Sequence, residues 1–166
     1  MSQRPIVEQG EEYLFLILHF PVYKGESIMA EEIDFYVGKD FLVTIHNYNI
    51  PIIHDFFNFC KKENDCLLTY DYDLSDVLLY QLLEKLMVGC YPIIDQSSIA
   101  ITNVENTIFG REQKDAVSQI LLLRRNIVDL RKIMQNHKNI IKKIIDVDQS
   151  IVSEVLIKSY YQNLIE

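Results

Sequence analysis

Between residues 13 and 23 the chain reads YLFLILHFPVY, apolar or aromatic at every position except His19. A run this short, punctuated by Pro21, predicts a buried strand, central to its sheet. In EEIDFYVGKDFLVTIH, over 31–46, strand-forming residues flank Gly38-Lys39-Asp40. Glycine there can supply the positive φ of a tight turn, so this segment predicts an antiparallel hairpin. After His46 the apolar period lengthens. Asn49 as a cap, Pro51 in the first turn, and Ile52, Ile53, Phe56, Phe57 and Cys60 on one face predict a helix over 51–62.

Further on, Asp73 or Ser75 is placed to cap a helix that begins VLLYQLLEKLMVGCY. Pro92 kinks or ends it, because an interior proline removes one backbone hydrogen bond and clashes with the preceding turn. Ile94, Ile101, Val104 and Ile108 keep helical spacing, so a two-part helix is expected to reach Phe109 and stop at Gly110. From 120 to 144 the positions Ile120, Leu123, Ile127, Leu130, Met134, His137, Ile141 and Ile144 alternate steps of three and four, a heptad seam broken only by His137. If His137 is buried there, leucine in its place is expected to be neutral or stabilising. The pattern QSIVSEVLIKSYYQNLIE then starts another helix and stops in mid-pattern, which predicts a piece cut from a longer protein.

These elements predict a single α/β domain over 1–166. A mixed sheet carries the first strand and the hairpin (about 1–48), and the helical part (about 49–166) flanks it with a long two-part helix packed on the heptad helix. Composition agrees: 166 residues, 49% hydrophobic and 24% charged, suit one soluble domain with its own core. Three cysteines without C-x-x-C spacing fit free thiols in a reducing compartment, the cytoplasm. No stretch approaches the ~18 unbroken apolar residues of a membrane helix.

Charge divides the chain. Residues 1–110 hold 6 Lys and Arg against 17 Asp and Glu, a balance of −11, and residues 111–166 hold 10 against 7, or +3, which together return the net −8. The acidic part is a poor partner for nucleic acid and a better one for divalent cations.

Candidate chemistry is sparse. His19, His46, His54, His137, Cys60, Cys66 and Cys90 are the soft metal ligands, and no pair has a zinc-site spacing. Satisfied core or edge histidines and small core cysteines are the expected reading. No nucleophile elbow, P-loop, dinucleotide fingerprint or H-E-x-x-H occurs, so nothing marks an enzyme. The basic stripe Arg124, Arg125, Arg131, Lys132, Lys138, Lys142 and Lys143 lies opposite the seam. Without interleaved aromatics it reads as a solvated face or a partner for the acidic part, and a helical protein or nucleic-acid interaction module is the rival from another class. Asp71, Asp73 and Asp76 form the densest acid cluster, with capping or solvated spacing rather than that of a closed cation cage.

The strings QRPIVE (3–8), EEYLFLILHFPVY, EEIDFYVGKDFLVTIH, LLYQLLEKLMVGCYPIID (78–95) and LLLRRNIVDLRKIM (121–134) resemble, in this order, the cytoplasmic domain of CorA-like divalent-metal transporters. SYYQNLIE (159–166) is similar to the start of that family's long stalk helix. The resemblance covers nearly the whole chain. It implies a metal-sensing, gating domain of a magnesium or cobalt channel, soluble in itself, on the cytoplasmic face of the cell membrane. The family's two transmembrane helices and Gly-Met-Asn signature would lie beyond Glu166.

It also implies a homopentameric parent, with this piece alone a monomer or dimer. Mg2+ is the implied regulatory or transported ion, with Co2+, Ni2+ and Zn2+ as alternatives, and nucleic acid is not an expected partner. The zinc-exporting branch shares the fold and stands as the alternative within the family. The family's main regulatory aspartates have no counterparts in this chain. In the helical region below the stalk only Asp95, Glu105 and Glu112 supply carboxylates, and Asp95 and Glu105 are the candidate metal ligands.

Overall fold

The computed structural model describes residues 4–62, 75–109, 113–146 and 161–165. It contains strands β1 (Ile6–Gln9), β2 (Tyr13–Lys24), β3 (Ser27–Gly38) and β4 (Phe41–His46), then helices α1 (Pro51–Lys62), α2 (Ser75–Val88), α3 (Tyr91–Phe109) and α4 (Gln113–Asp146). The sheet order is β1-β2-β3-β4 and every pair is antiparallel. The α/β class stands, with one correction: the described sheet is antiparallel throughout rather than mixed. Short connections join its neighbours, and a parallel pair would need a long crossover.

β2 is interior, as its apolar run predicts. Leu14, Leu16, Leu18 and Phe20 line the face that packs on the helices, and Ile17 on the other face is just as buried. Pro21 does not end the strand. β1 pairs with β2 only up to Ile17, so Pro21, opposite Ala30, sits on a stretch that β1 does not cover. A missing N–H is tolerated at such an edge.

The hairpin around Gly38 forms, but the positive φ lies elsewhere. Gly25, at φ 64°, opens the two-residue turn between β2 and β3, the placement that a type II′ turn requires. At Gly38 the half-exposed ring of Phe41 occupies the place of a Cβ, so a side chain there would have to displace that ring.

α1 has its predicted bounds, and Ile53 and Phe56 enter the core while Phe57 stays exposed. Asn49, expected as a cap, instead donates its side-chain amide to the Glu31 carboxylate at 2.7 Å. The Ser75 hydroxyl likewise leaves the helix end and donates to the Gly38 carbonyl across the core. The expected kink falls at Gly89–Cys90, which places Pro92 in the first turn of α3, where its absent N–H costs nothing. Asp71, Asp73, Cys66, Gly110, Glu112 and the pattern from 149 to 160 lie outside the described residues.

By length and composition alone the run Ser75–Ile108 could cross a membrane, contrary to the expectation that no stretch comes close. Its α2 half, however, gives Leu79, Leu82, Leu83 and Leu86 to the core under the sheet.

The heptad seam is buried over only part of α4. Leu130, His137, Ile141 and Ile144 are covered, but Ile120 and Ile127 are 40% and 39% exposed. α4 is ~51 Å long at 1.5 Å per residue, and it packs on α3 as well as on β1, β2 and β3. α3 folds back so that Ile93 and Ile94 meet Leu130 and Ile133.

Two polar residues complete the sheet-facing side. The Asn126 side chain accepts from Ile28 N–H at 3.0 Å and donates to the Glu26 carbonyl at 2.8 Å. His137 donates from Nε2 to the His19 carbonyl at 2.5 Å and stacks 4.6 Å from the Phe20 ring. Eleven residues make three helical turns, so both side chains leave α4 on the same side. Near the end of the described chain, Tyr161 is fully buried and its hydroxyl donates to the Asp76 carbonyl at 3.0 Å.

The bond from His137 reverses the expectation for its replacement. His137→Leu removes the hydrogen bond to the His19 carbonyl and is expected to cost ~0.5–1.5 kcal/mol. Leu130→Ala is expected to cost ~2–5 kcal/mol through the cavity it leaves. Chemical denaturation of each variant measures both.

Burial lowers the His137 pKa, the bond to His19 opposes that shift, and the neighbouring His19 ring adds to it. Protonation therefore favours the unfolded chain. This contribution to stability is complete above the unfolded value of about 6.5 and is lost as pH falls from there towards the lowered folded value. Denaturation midpoints measured from neutral pH down to pH ~5 should fall less steeply for His137→Leu than for the parent.

Candidate functional site

α3 carries both carboxylates singled out as metal ligands, and it keeps them apart. Asp95 and Glu105 are exposed, and ten residues of helix separate them by ~15 Å. One ion cannot bridge that distance within a single chain. Among the described residues no group of three or more His, Cys, Asp or Glu side chains could hold a metal.

The acids that the fold does draw together are on β3, and sequence reasoning passed over them. In EEID the strand alternates its faces, sending Glu31 one way and Glu32 and Asp34 the other. Glu31 accepts amide hydrogens from Asn47 at 3.1 Å and Asn49 at 2.7 Å, which ties the end of β4 to the chain entering α1. Glu32 lies directly across from His19, with its Oε2 at 3.3 Å from Nε2. Burial raises the Asp34 carboxyl pKa, the Glu32 charge adds to the shift, and His19 opposes it. The signal was available as alternating acids opposite a lone histidine in a paired strand, but it needs the β2–β3 register to be seen.

The remaining candidates have structural occupations. His46 Nδ1 lies 2.9 Å from the Asn47 carbonyl, and His54 is exposed on α1 beside Asn58. The Cys90 thiol donates to the Leu86 carbonyl, and burial pushes its pKa up to about 11. Burial also raises the Cys60 thiol. Neither is a thiolate nucleophile near neutral pH. Asp76 is buried at the start of α2, where its carboxylate accepts from Val77 N–H at 2.8 Å. The arrangement presents a long helix fixed to a sheet and a largely acidic first part.

Proteins similar to this chain include named metal transport proteins. The cobalt/magnesium transport protein CorA of Thermotoga maritima is 24% identical over 139 residues, covering 80% of this chain and 37% of that protein. The soluble domain of CorA from Methanocaldococcus jannaschii superposes with a TM-score of 0.80 at 18% identity, over 97% of this chain and 63% of that one. The ZntB cytoplasmic domain from Vibrio parahaemolyticus superposes at 0.70 with 10% identity, over 98% and 65%. At such identities the superpositions establish the fold. The chain spans about half the length, or less, of the curated relatives it matches. The family model described as CorA-like Mg2+ transporter protein matches residues 1–166, and the chain therefore belongs to the CorA-like Mg2+ transporter family.

Proposed function

We propose that this chain is the cytosolic, metal-responsive part of a CorA-like channel for Mg2+ or Co2+, working in a homopentamer and without enzymatic activity of its own. The observation that carries this reading is the family match across the whole chain, on a fold that fastens a ~51 Å helix to a sheet. A helix held in that way can pass a small displacement of the domain along its length. The cation acts by differential binding: an ion that binds the closed arrangement more tightly than the open one shifts the population towards closed, by no more than that difference in affinity.

Mg2+ prefers oxygen ligands and keeps several waters, so single carboxylates on facing subunits are enough to hold it loosely. Asp95 and Glu105 serve in this reading as exposed α3 carboxylates that face a neighbouring subunit, because they cannot meet within one chain. The likeness to a ZntB domain supports Zn2+ as the alternative cargo.

The test is ion flux through the full-length parent reconstituted in vesicles, read with a Mg2+-sensitive dye. Flux should fall as Mg2+ rises on the domain side. Asp95→Asn combined with Glu105→Gln should raise the half-inhibiting concentration about fivefold. An unchanged value removes the two carboxylates from the mechanism, and flux indifferent to Mg2+ on that side defeats the sensing role itself. Zn2+ flux exceeding that of Mg2+ selects the alternative cargo.

A further inference from the structure

Cations are scarce in residues 1–110, only six Lys and Arg in all. Two of them, Arg4 and Lys24, nevertheless line one groove together with Arg125 and Lys132 of α4. The groove lies between the β2–β3 hairpin end and α4 and encloses about 580 Å3, well within the ~300–1,000 Å3 of small-molecule sites. Four cations there face a single lining acid, Asp129. That acid lies 4.0 Å from both Arg125 Nε and Lys132 Nζ. Exposed pairs at this distance hold their partners weakly, so both cations can turn to a stronger anion. Neither Arg4 nor Lys24 has an ion-pair partner among the described residues.

The floor is of a different character. Ile28 and Ile133 are buried beneath it, and Met29, 48% exposed, stands beside them. An apolar floor with a cationic rim suits a ligand that has an apolar or planar body and a multiply charged anionic end. Guanidinium groups bind phosphate through paired N–H donors, and ammonium groups add point charge. In a protein of net charge −8 the groove is a local reversal of sign.

We propose that this groove binds a phosphate-bearing ligand of nucleotide size, with its phosphates on Arg4, Lys24, Arg125 and Lys132 and its body over Ile28, Met29 and Ile133. The site shares no residue with the carboxylates assigned to metal sensing, so each proposal can fail without the other. Bound there, the ligand joins the hairpin to α4 at the same place as the Asn126 bonds, and it would stiffen the attachment of the helix to the sheet.

Calorimetric titration of the chain with adenosine triphosphate, in the presence of a chelator so that no divalent cation contributes, tests the site. Arg125→Gln with Lys132→Gln should weaken binding at least about tenfold. Arg131→Gln with Lys138→Gln, the same charge change on exposed parts of α4 outside the groove, should leave it unaltered. All four side chains are exposed, and circular dichroism verifies that both double variants remain folded.

Equal weakening in the two pairs reduces the effect to net charge and overturns the site, as does an absence of binding at millimolar nucleotide. Inorganic triphosphate binding as tightly as the nucleotide overturns the role of the floor. Attachment to vesicles of anionic phospholipid that the nucleotide fails to displace would make the surface a membrane contact and also overturn the proposal.

Discussion

An antiparallel ribbon longer than its neighbours has two free edges, and much of this structure follows from how those edges are closed. β1 covers β2 only over Leu14–Ile17, and β4 covers β3 only over Ile33–Gly38. The rest of the β2–β3 pair runs on towards its turn with outward backbone groups that need partners once buried. α4 supplies them at the two points where Asn126 and His137 reach the backbone. The apolar seam from Leu130 to Ile144 provides the bulk of the attraction. The two polar residues determine where along the helix, and at what rotation, that attraction is satisfied.

This division of labour accounts for the departures from an ideal heptad. Isoleucine and leucine would let α4 slide or roll over the sheet at small cost, whereas a side-chain amide bonded both to the turn and to the start of β3 tolerates one register. His137 keeps its Nδ1 buried without a hydrogen-bond partner among the described residues. That is a cost of holding the β2 carbonyl with an imidazole, and burial keeps the ring neutral so that it can serve as a donor on one side only. The first half of α4 leaves Val117, Ile120, Leu121, Ile127 and Val128 exposed, and β4 does the same with Phe41, Val43 and Ile45 on the far side of the sheet.

Carboxylates are distributed on the same logic. On β3, Glu31 is held by Asn47 and Asn49 and Glu32 by His19, while the carboxylates on α3 stand apart in solvent. A domain in a family of Mg2+ transporters thus carries no closed cation cage among its described residues. Mg2+ seldom uses such cages, because it gives up its waters reluctantly.

Much of the fold was legible in the residue pattern alone. Period and punctuation located β2, the β3–β4 turn, the bounds of α1, the break near Pro92 and the end of α3, because each depends on neighbours within one or two turns of chain. β1 was not visible, since IVEQ is too short to show a period and becomes a strand only by pairing with β2. The positive φ was assigned to Gly38 rather than Gly25, because either glycine permits a turn and only the register chooses between them. The candidate ligands Asp95 and Glu105 share a helix but not a place in space.

The sequence by itself determined the class of fold, the greasy faces of the helices and the family, all of which reside in local spacing and in the order of short strings. The tertiary structure alone decided which half of the α4 seam is buried, that Asn126 and His137 are anchors rather than flaws, and that four distant cations converge on one groove. Those outcomes depend on contacts between residues about a hundred positions apart, such as Asn126 with Glu26 and Ile28, and no local period carries that information.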